Sequence, residues 1–159
     1  MAEPAVNELK RALAATFPEI FPGQDPLTTK PMPRLQSAAG DHRSNPNYDS
    51  SKDPHAAGLA LDIFLLVGVE RERKLAENLV DIFVYYKDKM GWDAVIYNQV
   101  TTDDFGGPRP YRGDNHTSHI HIEWPKSRAS TTGFIGGDMQ QDLTNLHDLW
   151  ASGQPLPND

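Results

Sequence analysis

The chain contains no cysteine, which excludes disulfides and any closed thiolate zinc site. It also lacks a long apolar run. The longest stretch is roughly Leu59 to Val69, interrupted by Asp62 and Gly68, well short of the ~20 residues that span a bilayer. No membrane insertion is expected. The opening Met1-Ala2-Glu3-Pro4 has neither the basic flank nor the apolar centre of a secretory signal, so synthesis in the cytoplasm is the expectation. Positive charge is the third shortage. Fifteen lysines and arginines stand against 22 acidic residues, a net charge of −7, and no basic block interrupts the balance. Nucleic-acid binders carry a basic stripe, so no nucleic-acid partner is expected. An anionic polymer would likewise have to be captured by local groups, not by long-range attraction.

What the chain does contain suits one domain, residues 1–159, long enough to bury a full core. No internal repeat is visible. Residues Pro4 to Ala15 read as a helix, with proline in the first turn and Val6, Leu9 and Leu13 at helical spacing. From Pro22 to Pro54 the pattern gives way to Pro, Gly, Asn, Asp and Ser, with a short strand or helical turn at Arg34 to Ala39. So long an irregular stretch is usually a functional or mobile loop. Gly58 to Val67 reads as a buried strand whose single charge is Asp62. A helix is predicted from Val69 to Met90, closed by Gly91. Ala94 to Tyr97 is a second strand, Thr101 to Asn115 a Gly- and Pro-rich loop, His119 to Trp124 a third strand, and Asp138 to Trp150 a final helix.

Two segments carry the chemistry. The first is His55-Ala56-Ala57-Gly58-Leu59-Ala60-Leu61-Asp62, the second His116-Thr117-Ser118-His119-Ile120-His121-Ile122-Glu123-Trp124. Brought together, two imidazoles and one carboxylate form a three-ligand set for zinc that leaves a fourth position open to water, as in catalytic sites. Alternation along a strand puts His119 and His121 on one side, ~6–7 Å apart, with Ile120 and Ile122 toward the core. One of the two imidazoles is then free for a non-ligand role. Asp62, alone among apolar neighbours, needs a partner to offset its burial, and a divalent cation is the simplest. Gly58 allows a sharp turn between His55 and the strand. Taken singly, each residue is more often structural than functional; the conjunction is what carries weight. Trp92, Tyr97, Tyr111 and Trp124 are groove candidates, although aromatics of a small domain are more often core.

His55-x-x-Gly58-x-Ala60-x-Asp62 followed by His119-x-His121 resembles the metallopeptidase group that contains lysostaphin, the D-alanyl-D-alanine carboxypeptidases and dipeptidases, and the hedgehog signalling domain. The further His116-x-x-His119-x-His121 spacing, with the Trp92–Tyr97 segment and Tyr111-Arg112-Gly113, is similar to penicillin-insensitive murein endopeptidases and to phage and actinobacterial lytic domains. The resemblance covers roughly Gly40 to Trp124. It implies an α+β fold, a small antiparallel sheet flanked by helices with the zinc site on its open face. It implies that His55, Asp62 and His121 bind zinc, that His119 is the catalytic or water-positioning histidine, and that His116 contacts substrate or a developing oxyanion. Arg43 resembles the arginine that holds a substrate carboxylate or carbonyl, though a solvated loop arginine fits the sequence equally well.

Two departures stand out. Where many carboxypeptidases of the group have a glutamate three residues before the last ligand, this chain has Ser118; and Asp53 replaces a common serine two residues before the first. The first departure favours an endopeptidase of peptidoglycan stem peptides or cross-links over a D-Ala-D-Ala-type carboxypeptidase. The remaining alternatives are a non-catalytic zinc-binding recognition module, and a phosphodiester hydrolase for which the basic groups are lacking. Action on a cell wall would follow release or export, and a delivery or immunity partner is left open.

Overall fold

A computed structural model of the chain describes residues 2–21, 23–24, 31–37, 49, 51–113 and 115–159, with backbone alone at 23–24 and 31–32. Helix α1 (Pro4–Thr16) is followed by two short strands, β1 (Gly23–Gln24) and β2 (Pro31–Met32), which form a small antiparallel ribbon. The remaining strands are β3 (Leu35–Gln36), β4 (Ala60–Phe64), β5 (Ala94–Tyr97), β6 (Val100–Asp103), β7 (Gly106–Pro110) and β8 (His119–Glu123). They form one six-stranded sheet in the order β3-β4-β8-β5-β6-β7, antiparallel throughout. Helices α2 (Glu70–Tyr85), α3 (Lys87–Met90) and α4 (Asp138–Ala151) complete the chain. The class is α+β.

Side-chain alternation divides this sheet into two unlike faces. Leu61 and Ile63 of β4, Ile120 and Ile122 of β8 and Val95 of β5 are all at most 2% exposed and join the main hydrophobic cluster. That cluster is shared with Val6, Leu9 and Leu13 of α1, Leu75, Leu79 and Phe83 of α2, and Met139, Leu143 and Leu146 of α4. Full burial of each such side chain stabilises the fold by about 1.5–3 kcal/mol. The opposite parity of the same strands carries Asp62, His119, His121 and Glu123, away from the helices. The core-forming half of each strand thus dictates where the polar half must point.

The helices follow their sequence signals with one difference. Predicted as a single helix to Met90, the second helical segment breaks at Tyr86, whose φ of −98° and ψ of 18° leave the helical region. The Tyr86 hydroxyl donates 2.6 Å to Asp142 Oδ2 on α4, and this bond pushes its pKa up to about 12. α3 then closes at Gly91, whose φ of 86° suits a residue without Cβ. A buried ion pair fixes the other end of α2. Arg34 Nη1 and Nη2 donate to the Glu72 carboxylate at 2.7 and 3.1 Å, while Nη1 also reaches Phe64 O at 3.1 Å. Glu72 Oε1 in turn accepts from Leu66 N at 3.0 Å. The residues leading into β3, the end of β4 and the first turn of α2 are thereby tied together.

The segment Thr101 to Asn115, predicted as a loop, contains β6 and β7 instead. The turn just ahead of it explains why. Asn98 and Gln99 have φ of 51° and 59°, the left-handed conformation at both central positions of a tight two-residue hairpin. β7 reads Gly-Gly-Pro-Arg-Pro and is exposed along its whole length. It forms the sheet edge, where proline is tolerated because one side of the strand has no ladder to complete.

Candidate metal centre

His55 reaches the site from a compact turn. Asp53 Oδ1 accepts the His55 N–H at 2.9 Å, His55 O accepts from Gly58 N at 3.0 Å, and Pro54 O accepts from Leu59 N at 2.7 Å. Gly58 sits at φ 76°, where a side chain would be strained. From there Leu59 O accepts from Trp124 N at 2.8 Å and the chain enters β4. Asp53 therefore has a place: it caps the turn that presents His55, with a bond a serine hydroxyl could also accept.

Asp62 and His121 face each other directly, as Cα partners of β4 and β8. Asp62 Oδ1 lies 3.0 Å from His121 Nδ1, 3.2 Å from His55 Nε2 and 3.6 Å from His119 Nε2. Among the described residues, every group paired with this carboxylate is an imidazole. Asp62, His55 and His121 are 6%, 3% and 7% exposed. Their ligand atoms all lie within 4.8 Å of one another, a buried group that could hold a metal ion. Two ring nitrogens and one carboxylate oxygen form a donor set that suits a borderline divalent cation.

The other two histidines adjoin this group without belonging to it. The His119 ring lies 4.9 Å from that of Phe64, and its Nδ1 is 2.9 Å from Ser118 Oγ. His116 stands 5.0 Å from the His119 ring, 5.5 Å from that of His121 and 5.0 Å from Tyr111, centroid to centroid. Its backbone is held by the β5–β6 turn: His116 N donates to Gln99 Oε1 at 2.6 Å, and His116 O accepts from Asn98 N at 2.8 Å. Gln99 O also accepts from Tyr111 N at 2.8 Å. Nothing in the local sequence announced Gln99 as a support of this histidine. Only its unusual left-handed conformation marks it.

Electrostatics separate the imidazoles. Burial of His119 outweighs the pull of Asp62, and with the neighbouring imidazoles it lowers the pKa to about 4. Burial also opposes a charge on His121, but the bonds to Asp62 and Glu123 prevail and hold its pKa up at about 9. Burial would raise the Asp62 carboxyl, yet its bonds to His121 and His55 keep it well below the ordinary carboxylate range. A bound cation would replace the proton on His121, since ligating imidazole is neutral.

The structure brings together five of the six residues that the sequence nominated: His55, Asp62, His116, His119 and His121. The sixth, Arg43, lies outside the described residues. Of the four groove candidates, Tyr111 borders His116, whereas Trp92, Tyr97 and Trp124 are core. Trp92 Nε1 donates to Phe83 O, Trp124 Nε1 to Met90 O and Tyr97 Oη to Leu65 O, at 2.9, 2.9 and 3.0 Å. No helix among the described residues is long and apolar enough to cross a membrane. Comparison with protein-family models, curated proteins and solved structures gave no significant match.

Proposed function

We propose that the chain is a zinc-dependent peptidase that hydrolyses a peptide bond in the stem peptides or cross-links of peptidoglycan, acting as an endopeptidase. The observation that carries this reading is the presence of two further imidazoles, His119 and His116, beside the buried His55–Asp62–His121 group. A purely structural metal site needs its ligands and no more. Zinc held by the three ligands would supply a Lewis acid and a water acidic enough to react near neutral pH.

The chain's own groups account for the proton. His119 is neutral near pH 7, with its pKa at about 4. In the tautomer whose Nδ1–H donates to Ser118 Oγ, its Nε2 is left as the proton acceptor. Nε2 can then take a proton from the attacking water and return it to the leaving amine. His116, whose ring lies 5.0 Å from that of His119, would donate a hydrogen bond to negative charge developing on the carbonyl oxygen. Ser118 occupies the position of the glutamate that a carboxypeptidase of this group would use, and the only other acid on this strand, Glu123, is bonded to His121. That favours the endopeptidase over the D-Ala-D-Ala-type carboxypeptidase. The wall would be reached after release or export.

The test is incubation of the purified protein with peptidoglycan sacculi, with and without chelator, followed by assay of new amine ends and mass spectrometry of the released muropeptides. New amines that disappear with chelator and return with zinc are expected. Wild-type protein loaded with metal that releases no amine would leave the metal-binding module, and not the peptidase, as the correct reading.

A further inference from the structure

One carboxylate at the site belongs neither to the ligand group nor to the proton pathway. Glu123 Oε2 lies 3.3 Å from His121 Nε2, while His121 Nδ1 faces Asp62 Oδ1 at 3.0 Å. The two nitrogens of one imidazole thus meet two different carboxylates. Since His121 Nδ1 and His55 Nε2 both face Asp62 Oδ1, a metal shared by the three would be bound through Nδ1 of His121, and its Nε2 would carry the hydrogen. We infer that Glu123 is the positioning residue of this centre: it accepts the Nε2–H of His121, fixes the ring's tautomer and orientation, and strengthens Nδ1 as a donor to the metal.

The strand register favours this contact. Glu123 is flanked on the sheet by Ala60 of β4 and Ala94 of β5, so its neighbours on that face are methyl groups that leave room for the side chain to lie back over His121. His121 and Glu123 share a face because they are two residues apart on β8. Among the described residues His121 is the one group that forms an ion pair with Glu123. The backbone is fixed as well: Glu123 O accepts from Asp93 N at 2.9 Å. An outer carboxylate on a ligating imidazole typically governs metal affinity by ~10–100-fold. The same contact removes Glu123 from consideration as a general base, because its carboxylate addresses the nitrogen of His121 that does not face Asp62.

This inference rests on the metal-centre reading but not on the peptidase one, and its test needs no substrate. Zinc affinity would be measured by chelator competition for wild type, Glu123→Ala, Glu123→Gln and Asp62→Ala, and the visible spectrum recorded for each protein loaded with cobalt. Glu123→Ala should bind zinc ~10–100-fold more weakly and shift the cobalt bands. Glu123→Gln, which keeps an oxygen acceptor, should recover part of the loss. Wild-type affinity and an unchanged cobalt spectrum in Glu123→Ala, alongside loss of binding in Asp62→Ala, would overturn the role of Glu123 and spare the ligand set. Wild-type affinity in Asp62→Ala would overturn both. A Glu123→Ala protein that is merely less stable to urea without metal, yet binds zinc as wild type does, would show a structural contact only and refute the inference.

Discussion

Zinc should stabilise this protein by an amount that can be stated in advance, and replacement of one side chain should abolish the effect. A ligand that binds only the folded state at a concentration of 100 times its dissociation constant adds about 2.7 kcal/mol. For a domain of this size each kcal/mol moves the midpoint of thermal unfolding by roughly 2–4 °C, so a rise of about 5–11 °C is expected. In Asp62→Asn the shape of the side chain is kept and its charge is lost. Asp62 makes the 3.0 Å contact to His121 and the 3.2 Å contact to His55, and the neutral amide is a poor ligand for a cation. The zinc-induced shift should therefore vanish. Without metal, the same variant should be about 1–3 kcal/mol less stable than wild type, through weakening of buried charged hydrogen bonds. Differential scanning calorimetry in chelator and in a zinc buffer gives both quantities from one preparation. A zinc shift of equal size in wild type and Asp62→Asn would refute the assignment of Asp62 to the metal. A wild-type midpoint that zinc does not move would refute the site as a whole.

Other consequences can be checked in parallel. His55→Ala and His121→Ala should lose bound metal and wall-lytic activity together. His119→Ala should retain metal by elemental analysis and lose ~10²–10⁴-fold in rate, the usual share of a general acid–base group; full activity in His119→Ala would remove it from the chemistry. In chelator, acid and base should each weaken the fold. His119, lowered to about 4, favours the neutral form when folded, so stability falls as pH drops from about 6.5 toward 4. His121, raised to about 9, contributes stability that is fully present below about pH 6.5 and lost as pH rises through 9. Urea midpoints at pH 5, 7 and 9 test both arms, and His119→Gln should flatten the acid one. Glu72→Ala leaves Arg34 buried at 3% exposure without the carboxylate, and should cost about 3–5 kcal/mol in urea unfolding. Gln99→Gly keeps the left-handed turn and deletes the acceptor of His116 N–H; lytic activity should fall more than the thermal midpoint does.

The sequence disclosed the parts of this molecule that depend on local pattern. Helical spacing of Val6, Leu9 and Leu13 identified α1, and the alternation of His119 to Glu123 identified β8 and its two unlike faces. Asp62, His119 and His121 of the candidate site were legible for the same reason, since spacing along β4 and β8 decides which side chains share a face. His55 and His116, outside those strands, were nominated by the motif spacing and its resemblance. What escaped was set by contacts between distant segments. β7 has no buried residue to betray a period of two, and its glycines and prolines read as loop. The Asn98–Gln99 turn lacks the glycine that usually announces such a hairpin. The roles of Asp53, Gln99 and Glu123 depend on which backbone or ring atom each one meets, and periodicity carries no such information. The predicted reach of the second helix to Met90 failed at Tyr86, whose hydroxyl is committed to Asp142 on α4.

The direct pairing of Asp62 with His121, and of Leu61 with Ile122 beside it, locks two requirements to one alignment of strands. A slip of β8 by a single residue would set an isoleucine against Asp62 and turn the imidazoles in among the helices. Any ion that prefers the correct pairing therefore proofreads it, rewarding the same alignment that closes the oily interior. Drift in either half of this bargain would be caught by the other, so the strand pair can wander in sequence only where both sides permit it.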